Sequence, residues 1–274
     1  MITTTTARTS VGATSLTAAS QARAALAVLR RDLTVTAHEL PTFAAQVILQ
    51  PLFLLFVFGK VLGALGYTRD HYAQLLFPGL LALTAVITGM QSLAFPLVAE
   101  FGWTMEIEDR LLAPIPTWAV AAEKVVFAAL RALAASLIMI PVGMAVLGGI
   151  PWRWDGLGLF AGVLVLGALL GAAIGLVVGT LVTPAKISIV FSLIFTPILF
   201  TGCSQYPWPS LSRIEWFQVL TAANPLTYVS EGLRAAMIPQ VPHIPGWICA
   251  IVLVVWVPVL LRAGLAGFRR RTTS

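Results

Sequence analysis

The 274-residue chain is 58% hydrophobic and only 10% charged, with a net charge of +6 at pH 7 and a mean hydropathy of +0.92. A soluble domain carries about 25% charged residues, so a soluble fold is excluded and an all-α integral membrane protein is expected; the apolar runs lack the period-2 alternation of a membrane barrel. The positive charge follows no basic stripe with interleaved aromatics, which argues against nucleic acid, and the two cysteines (Cys203, Cys249) and three histidines (His38, His71, His243) show no metal-ligand spacing.

Residues 1–20 are rich in Thr and Ser and have no apolar block, which reads as a disordered tail rather than a cleavable signal. Residues 21–40 place Leu26, Leu29 and Leu33 at helical spacing, with Arg23, Arg30 and Arg31 supplying charge for headgroups. They read either as an amphipathic interfacial helix or as an ordinary basic flank to a span. The domain 41–268 holds six runs of the length that crosses a hydrocarbon core about 30 Å thick: about 41–64, 75–98, 119–147, 157–182, 187–202 and 246–267. Residues 269–274 form a basic C-terminal tail.

Lys and Arg accumulate on the cytoplasmic side of membrane proteins. With the N-terminus inside, that side holds Arg8, Arg23, Arg30, Arg31, Lys186 and Arg269 to Arg271. The opposite side holds Arg69, Arg153, Arg213 and Arg234, each near a carboxylate (Asp70, Asp155, Glu215, Glu231). Trp152, Trp154, Trp208, Trp216 and Trp247 all fall on the outer side, as interfacial aromatics do. Both termini are therefore expected to be cytoplasmic.

Four of the eleven acidic residues (Glu100, Glu106, Glu108 and Asp109) crowd into the segment 100–116 between the second and third spans. Thr104 to Leu112 suits a short helix stopped by Pro114 and Pro116, with Trp103, Ile107 and Leu111 on one face and the acids elsewhere. It reads either as a docking surface for a soluble partner or as a solvated loop. In the fourth span Gly167, Gly171, Gly175 and Gly179 lie four apart, a stripe that lets a neighbouring backbone come close. Between the fifth and sixth spans, residues 210–238 read as two short helices punctuated by Pro209, Pro225 and Pro239, lying at or dipping into the outer leaflet.

Arg131, inside the third run, is expected to snorkel to the inner interface because that run is longer than a crossing needs; Lys60 has the same explanation at the outer end of the first. Glu231 and Arg234 are three apart on a helix, and an exposed pair of that kind is worth at most about 1 kcal/mol. A disulfide between Cys203 and Cys249, both near the outer face, is left open. Prolines at 51, 78, 96, 141, 197 and 258 lie within spans, where neighbouring groups satisfy the freed carbonyls.

Three stretches resemble the permease subunits of ABC-2-type exporters. Phe77-Pro78-Gly79-Leu80-Leu81 is similar to the start of their second span. Gly102 followed by Glu108-Asp109-Arg110-Leu111-Leu112-Ala113-Pro114-Ile115 is similar to their cytoplasmic loop. Asn224-Pro225-Leu226-Thr227-Tyr228-Val229 with Glu231-Gly232-Leu233-Arg234 is similar to their outer signature. The resemblance covers nearly the whole chain and is nearest to the drug-resistance (daunorubicin type) and nodulation-factor permeases. It implies that Glu100, Gly102, Trp103, Glu106, Ile107, Glu108, Asp109, Arg110, Leu111 and Pro114 couple to an ATPase. It implies that residues 21–40 are a connecting helix, and that Asn224, Pro225, Tyr228, Glu231 and Arg234 serve an outer gate. Glu100 stands where many relatives carry a basic residue.

The sequence contains no GxxxxGK[ST] phosphate loop. The resemblance accordingly implies ATP and Mg2+ on a separate ATPase subunit in two copies, no cofactor on this chain, and a second permease, identical or paralogous, in a bacterial inner membrane. The expected activity is export of an amphipathic drug-like or lipid-like cargo, with glycan export as the alternative. An intramembrane lipid-modifying enzyme is disfavoured because the acidic cluster has no histidine near it. An ion-driven transporter is disfavoured because no ionisable group stands out at mid-membrane.

Overall fold

The computed structural model describes residues 40–66, 72–102, 117–150 and 153–272. Among them no strand occurs, and the chain is a bundle of helices. Helix α1 (Leu40–Phe56) continues through a π-helical turn (Val57–Val61) and a last turn (Leu62–Ala64). Then come α2 (Tyr72–Gly102), α3 (Thr117–Leu147) and α4 (Leu157–Leu181), and a 3-10 turn (Pro184–Lys186) leads into α5 (Ile187–Thr201). A second 3-10 turn (Trp208–Arg213) precedes the short α6 (Glu215–Ala222) and α7 (Pro225–Met237), and α8 (Gly246–Thr272) ends the bundle. Six helical stretches are long and apolar enough to cross a membrane: Phe43–Ala64, Gln74–Gly102, Thr117–Leu147, Leu157–Leu181, Pro184–Thr201 and Gly246–Thr272. A helix is the form these runs take because hydrocarbon offers no partner to a bare backbone amide.

Two boundaries differ from the sequence reading. Glu100 and Gly102, assigned to the acidic connecting segment, belong to the last turns of α2. Arg269 to Arg271, assigned to a tail, are the last turn of α8, where cations sit favourably against the unpaired carbonyls of a helix C-terminus. The remaining coupling residues (Trp103, Glu106, Ile107, Glu108, Asp109, Arg110, Leu111 and Pro114), the tail 1–20 and most of the connecting stretch 21–40 lie outside the described residues.

Helices α2 and α4 form the centre. In their most apolar stretches 78% and 61% of residues are buried, against 11% for α1 and 6% for α5, which stand at the edge. Helix α4 is apolar on every side, as a central helix must be, and its glycines set the packing distances. A side chain at Gly171 would strike the Val86 carbonyl of α2. A Cβ at Gly175 would lie 2.7 Å from the Met90 carbonyl oxygen, and one at Gly179 2.8 Å from the Leu97 side chain. Gly167 faces a different neighbour, with Val229 of α7 2.6 Å from its would-be Cβ.

The same contacts give the course of α7. Gly156, just before α4, meets the Ala236 carbonyl, whereas Gly167, three turns further along α4, meets Val229. Helix α7 therefore starts deep between the spans and climbs back, so that α6 and α7 form a re-entrant hairpin at one end of the bundle. Tryptophans 154, 208, 216 and 247 lie at this hairpin end; Lys186 and Arg269 to Arg271 lie at the other, the basic end. The two hairpin helices differ: α6 exposes Trp216 and Val219 (72% each), while α7 buries Leu226, Val229, Glu231, Leu233 and Arg234.

Candidate functional site

At the hairpin end, Asn224 and Pro225 start α7. The Asn224 Oδ1 accepts the Leu226 amide proton (2.9 Å), the usual N-cap arrangement, and Pro225 sits at the first helical position where no N–H is missed. The Asn224 amide then donates to the Thr201 hydroxyl (2.8 Å) and the Ile198 carbonyl (3.2 Å), tying α7 to the end of α5. Thr227 donates to the Thr221 carbonyl (2.7 Å), Tyr228 to the Ala222 carbonyl (2.8 Å) and Ser230 to the Gly202 carbonyl (2.9 Å).

Glu231 and Arg234 complete this latch, and here the structure corrects the expectation of an exposed pair: both side chains are fully buried and in direct contact. The Glu231 carboxylate also accepts the amide protons of Trp208 and Ile244, each at 2.9 Å. Arg234 Nη2 donates to the Cys203 carbonyl at 3.1 Å. Cys203 sits at φ 50°, a left-handed conformation that a non-glycine residue rarely adopts unless its surroundings hold it. One ion pair thus fastens the two connections that flank the hairpin, α5 to α6 at Cys203 and Trp208 and α7 to α8 at Ile244. Burial pulls the Arg234 guanidinium below its ordinary value, and the Glu231 carboxylate pulls it back up. Cys203 and Cys249 are both free, buried thiols, so the disulfide left open by the sequence is not formed; burial pushes the Cys203 thiol up to about 11.

At the basic end the ends of four helices are clamped together. Lys124 of α3 donates to Glu100 Oε1 of α2 at 2.6 Å, both side chains being largely buried. Gly102 packs directly on Pro184. Arg271 of α8 donates through Nη1 to the carbonyls of Gly179, Thr180 and Val182 (3.2, 3.3 and 2.9 Å), capping the C-terminus of α4, and lies 4.6 Å from the Phe101 ring centroid of α2. Helix α2 ends and α3 begins at this clamp.

Between α1, α2 and α3 lies a cavity of about 350 Å³. Its polar wall comes from Thr84, Thr88, Gln91 and Ser92 on one face of α2, Gln50 of α1 and Arg131 of α3, and Phe43, Ile87 and Pro51 are among its apolar lining. Gln50 and Gln91 are exposed, so the cavity opens at the bundle surface. Arg131 stands 4.6 Å from the Phe43 ring centroid, near the start of the first span. What the sequence reading missed is the company it keeps. The residues at 84, 88, 91 and 92 follow the i, i+4, i+7, i+8 rhythm of one helical face, a signal carried by hydroxyls and amides and not by charges.

Comparison with known proteins adds an independent finding. The family model described as ABC-2 type transporter matches residues 23–238, well over half of the chain. The inner membrane transport permease YadH of Escherichia coli K12 is 26% identical over 199 residues, covering 70% of this chain and 74% of that protein, and the YadH of Shigella flexneri matches to the same extent.

Proposed function

This chain belongs to the ABC-2 type transporter family, and from that premise we propose that it is the membrane-spanning permease of an exporter that moves an amphipathic, drug-like or lipid-like cargo out of a bacterial cell across the inner membrane. The basic end is the cytoplasmic one in this reading, supported by the placement of Lys186 and the α8 arginines opposite the tryptophans. Both termini lie inside. ATP and Mg2+ are bound by two copies of a separate ATPase subunit.

The clamp at the basic end is the observation that carries the reading. Helix α2 ends, ahead of segment 103–116, beside the Glu100–Lys124 pair, and α2 and α4 are joined through Phe101, Arg271 and the α4 carbonyls. A displacement of that segment by a closing ATPase is therefore delivered to α2, α3, α4 and α8 together instead of being absorbed in a slack loop. Rigid helices moved as a group are the means by which a small shift at one site becomes a change of state at another. At the outer end, the hairpin latch of Asn224, Pro225, Tyr228, Glu231 and Arg234 holds the exit side against that movement. The sparsely buried α1 and α5 are the faces offered to a second permease, identical or paralogous, which completes the pathway.

Inside-out vesicles containing the chain and its ATPase partner test this reading. ATP is expected to drive uptake of a fluorescent amphiphile into the lumen, and vanadate to stop it. Vesicles in which ATP is hydrolysed but no panel amphiphile, cationic, neutral or anionic, accumulates would contradict the export assignment.

A further inference from the structure

We propose that the cavity between α1, α2 and α3 binds the uncharged head of an amphiphile, one that both donates and accepts hydrogen bonds, as a glycerol, sugar or amide group does. This goes beyond the permease reading, because the site stands on the cavity alone and requires neither a sidedness nor an ATPase.

The polar wall lies at the depth where water is scarcest. Thr88 is the middle residue of the span Gln74–Gly102, and Gln91 and Ser92 follow it on the same face of α2. Among the described residues, the side chains of Gln50, Thr88, Gln91 and Ser92 take part in no hydrogen bond or ion pair within the protein. The backbone adds to the demand. Pro51 and Pro96 have no N–H to donate to the carbonyl four residues back, which belongs to Val47 in α1 and to Ser92 in α2, and all four residues line the cavity. In hydrocarbon such groups lose their hydrogen bonds to water and need partners in exchange. A polar head in the cavity supplies them, and a volume of about 350 Å³ falls within the roughly 300–1,000 Å³ of small-molecule sites.

The same groups select the kind of head. A primary amide offers two donor hydrogens and an acceptor oxygen, and a hydroxyl plays both roles. The wall therefore presents donors and acceptors together, and the two proline-freed carbonyls tilt it towards acceptors. A sulfonate or phosphate oxygen only accepts, so it leaves those acceptors unpaired. A quaternary ammonium neither donates nor accepts, and a hydroxyl or amide head answers both sides. Arg131, on the same wall, is engaged with the protein: its guanidinium lies over the Phe43 and Phe127 rings (4.6 and 5.8 Å) and its Nε is buried, so the groups left for a ligand are the neutral ones. Depth then selects an amphiphile over a soluble polyol. Phe43, Ile87 and Phe95 continue the wall with apolar surface for a chain, and the exposed Gln50 and Gln91 mark the side that opens at the bundle surface.

The test uses the full chain, purified in a zwitterionic detergent without ATP or any ATPase. Three probes that share one fluorescent chain are titrated separately: a monoacylglycerol, the matching alkyl sulfonate and the matching alkyl trimethylammonium. Wild type is expected to bind the monoacylglycerol about tenfold more tightly than either charged probe, the equivalent of one or two ordinary hydrogen bonds. The double variant Gln50→Leu with Gln91→Leu should lose that preference. Thr88→Val, which keeps the side-chain shape, should weaken monoacylglycerol binding about fivefold and leave the charged probes unchanged. Because these side chains have no partner within the protein, both variants should melt with wild type, and Thr88→Val carries the test if the double variant does not fold. Equal or tighter binding of a charged probe by wild type overturns the proposal, and so does a preference that survives in full in either folded variant. Since binding is read without ATP, loss of the preference refutes the site alone, and failure of ATP-driven uptake in vesicles refutes the export reading alone.

Discussion

Replacing Glu231 with Ala should destabilise the protein by about 3–5 kcal/mol, the cost of leaving one member of a buried ion pair without its partner. Arg234 would remain, fully buried, with only the Cys203 carbonyl in reach of its guanidinium in the described contacts. The amide protons of Trp208 and Ile244 would lose their acceptor as well, and each unsatisfied buried group adds to the penalty. Arg234→Met should be costly for the mirror reason, since a buried carboxylate would be left with two backbone donors and no cation. The double variant Glu231→Gln with Arg234→Met removes both charges, and Gln retains an oxygen for one of the two amides. It should melt above Glu231→Ala, because an apolar substitute for a whole ion pair is often tolerated where half a pair is not. Thermal unfolding in detergent, followed by size-exclusion recovery, reads all three. A Glu231→Ala protein that melts with wild type would mean that the pair does not hold the hairpin.

The glycine stripe of α4 should respond in a graded order. Gly171→Leu is expected to be the most damaging, because its side chain would meet the backbone of α2 at Val86, which has no rotamer to turn away. Overpacking a tight core costs about 1–3 kcal/mol and occasionally more, and separation of the two central helices belongs at the upper end. Gly175→Leu should follow, with the Met90 carbonyl 2.7 Å from the new Cβ. Gly179→Leu should be milder, since the Leu97 side chain in its way can change rotamer. Gly162, on the same helix, has nothing within 4 Å of a built Cβ; Gly162→Ala should be neutral or slightly stabilising, as helix propensity favours Ala by about 1 kcal/mol. Yield and melting temperature of the four variants decide the matter. Equal effects at 162 and 171 would show that the stripe acts through propensity and not through contact with α2.

The spans were legible because each is a local property: a run of apolar residues of sufficient length has one solution in a bilayer. The hairpin was legible for a related reason, as Pro225 and its Asn224 cap announce a helix start within four residues of sequence. The burial of α7 was not. PLTYVSEGLRAAM contains a charge pair and several hydroxyls, and locally it reads as a surface helix; its partners at Gly202, Cys203, Trp208 and Ile244 come from loops that only the fold brings together. The stripe of glycines was readable as a packing face, but not which neighbour each glycine would meet: α7 at Gly167 and α2 at the other three. The cavity was hidden because its wall is shared among three helices, and Gln50, Gln91 and Arg131 each look like an isolated exception within an apolar run.

We propose that this permease is driven by a separate ATPase engaged through the segment between α2 and α3. The direct measurement is purification of the tagged chain from its own cells in mild detergent, with identification of co-purifying proteins and assay of ATP hydrolysis. It would be done for wild type and for a variant with Glu106, Glu108 and Asp109 all changed to Lys. A stoichiometric ATPase is expected with wild type and its loss from the variant, while the variant's melting temperature stays unchanged. A wild-type chain that brings down no ATPase, or a variant that retains it in full, would rule out coupling through this segment.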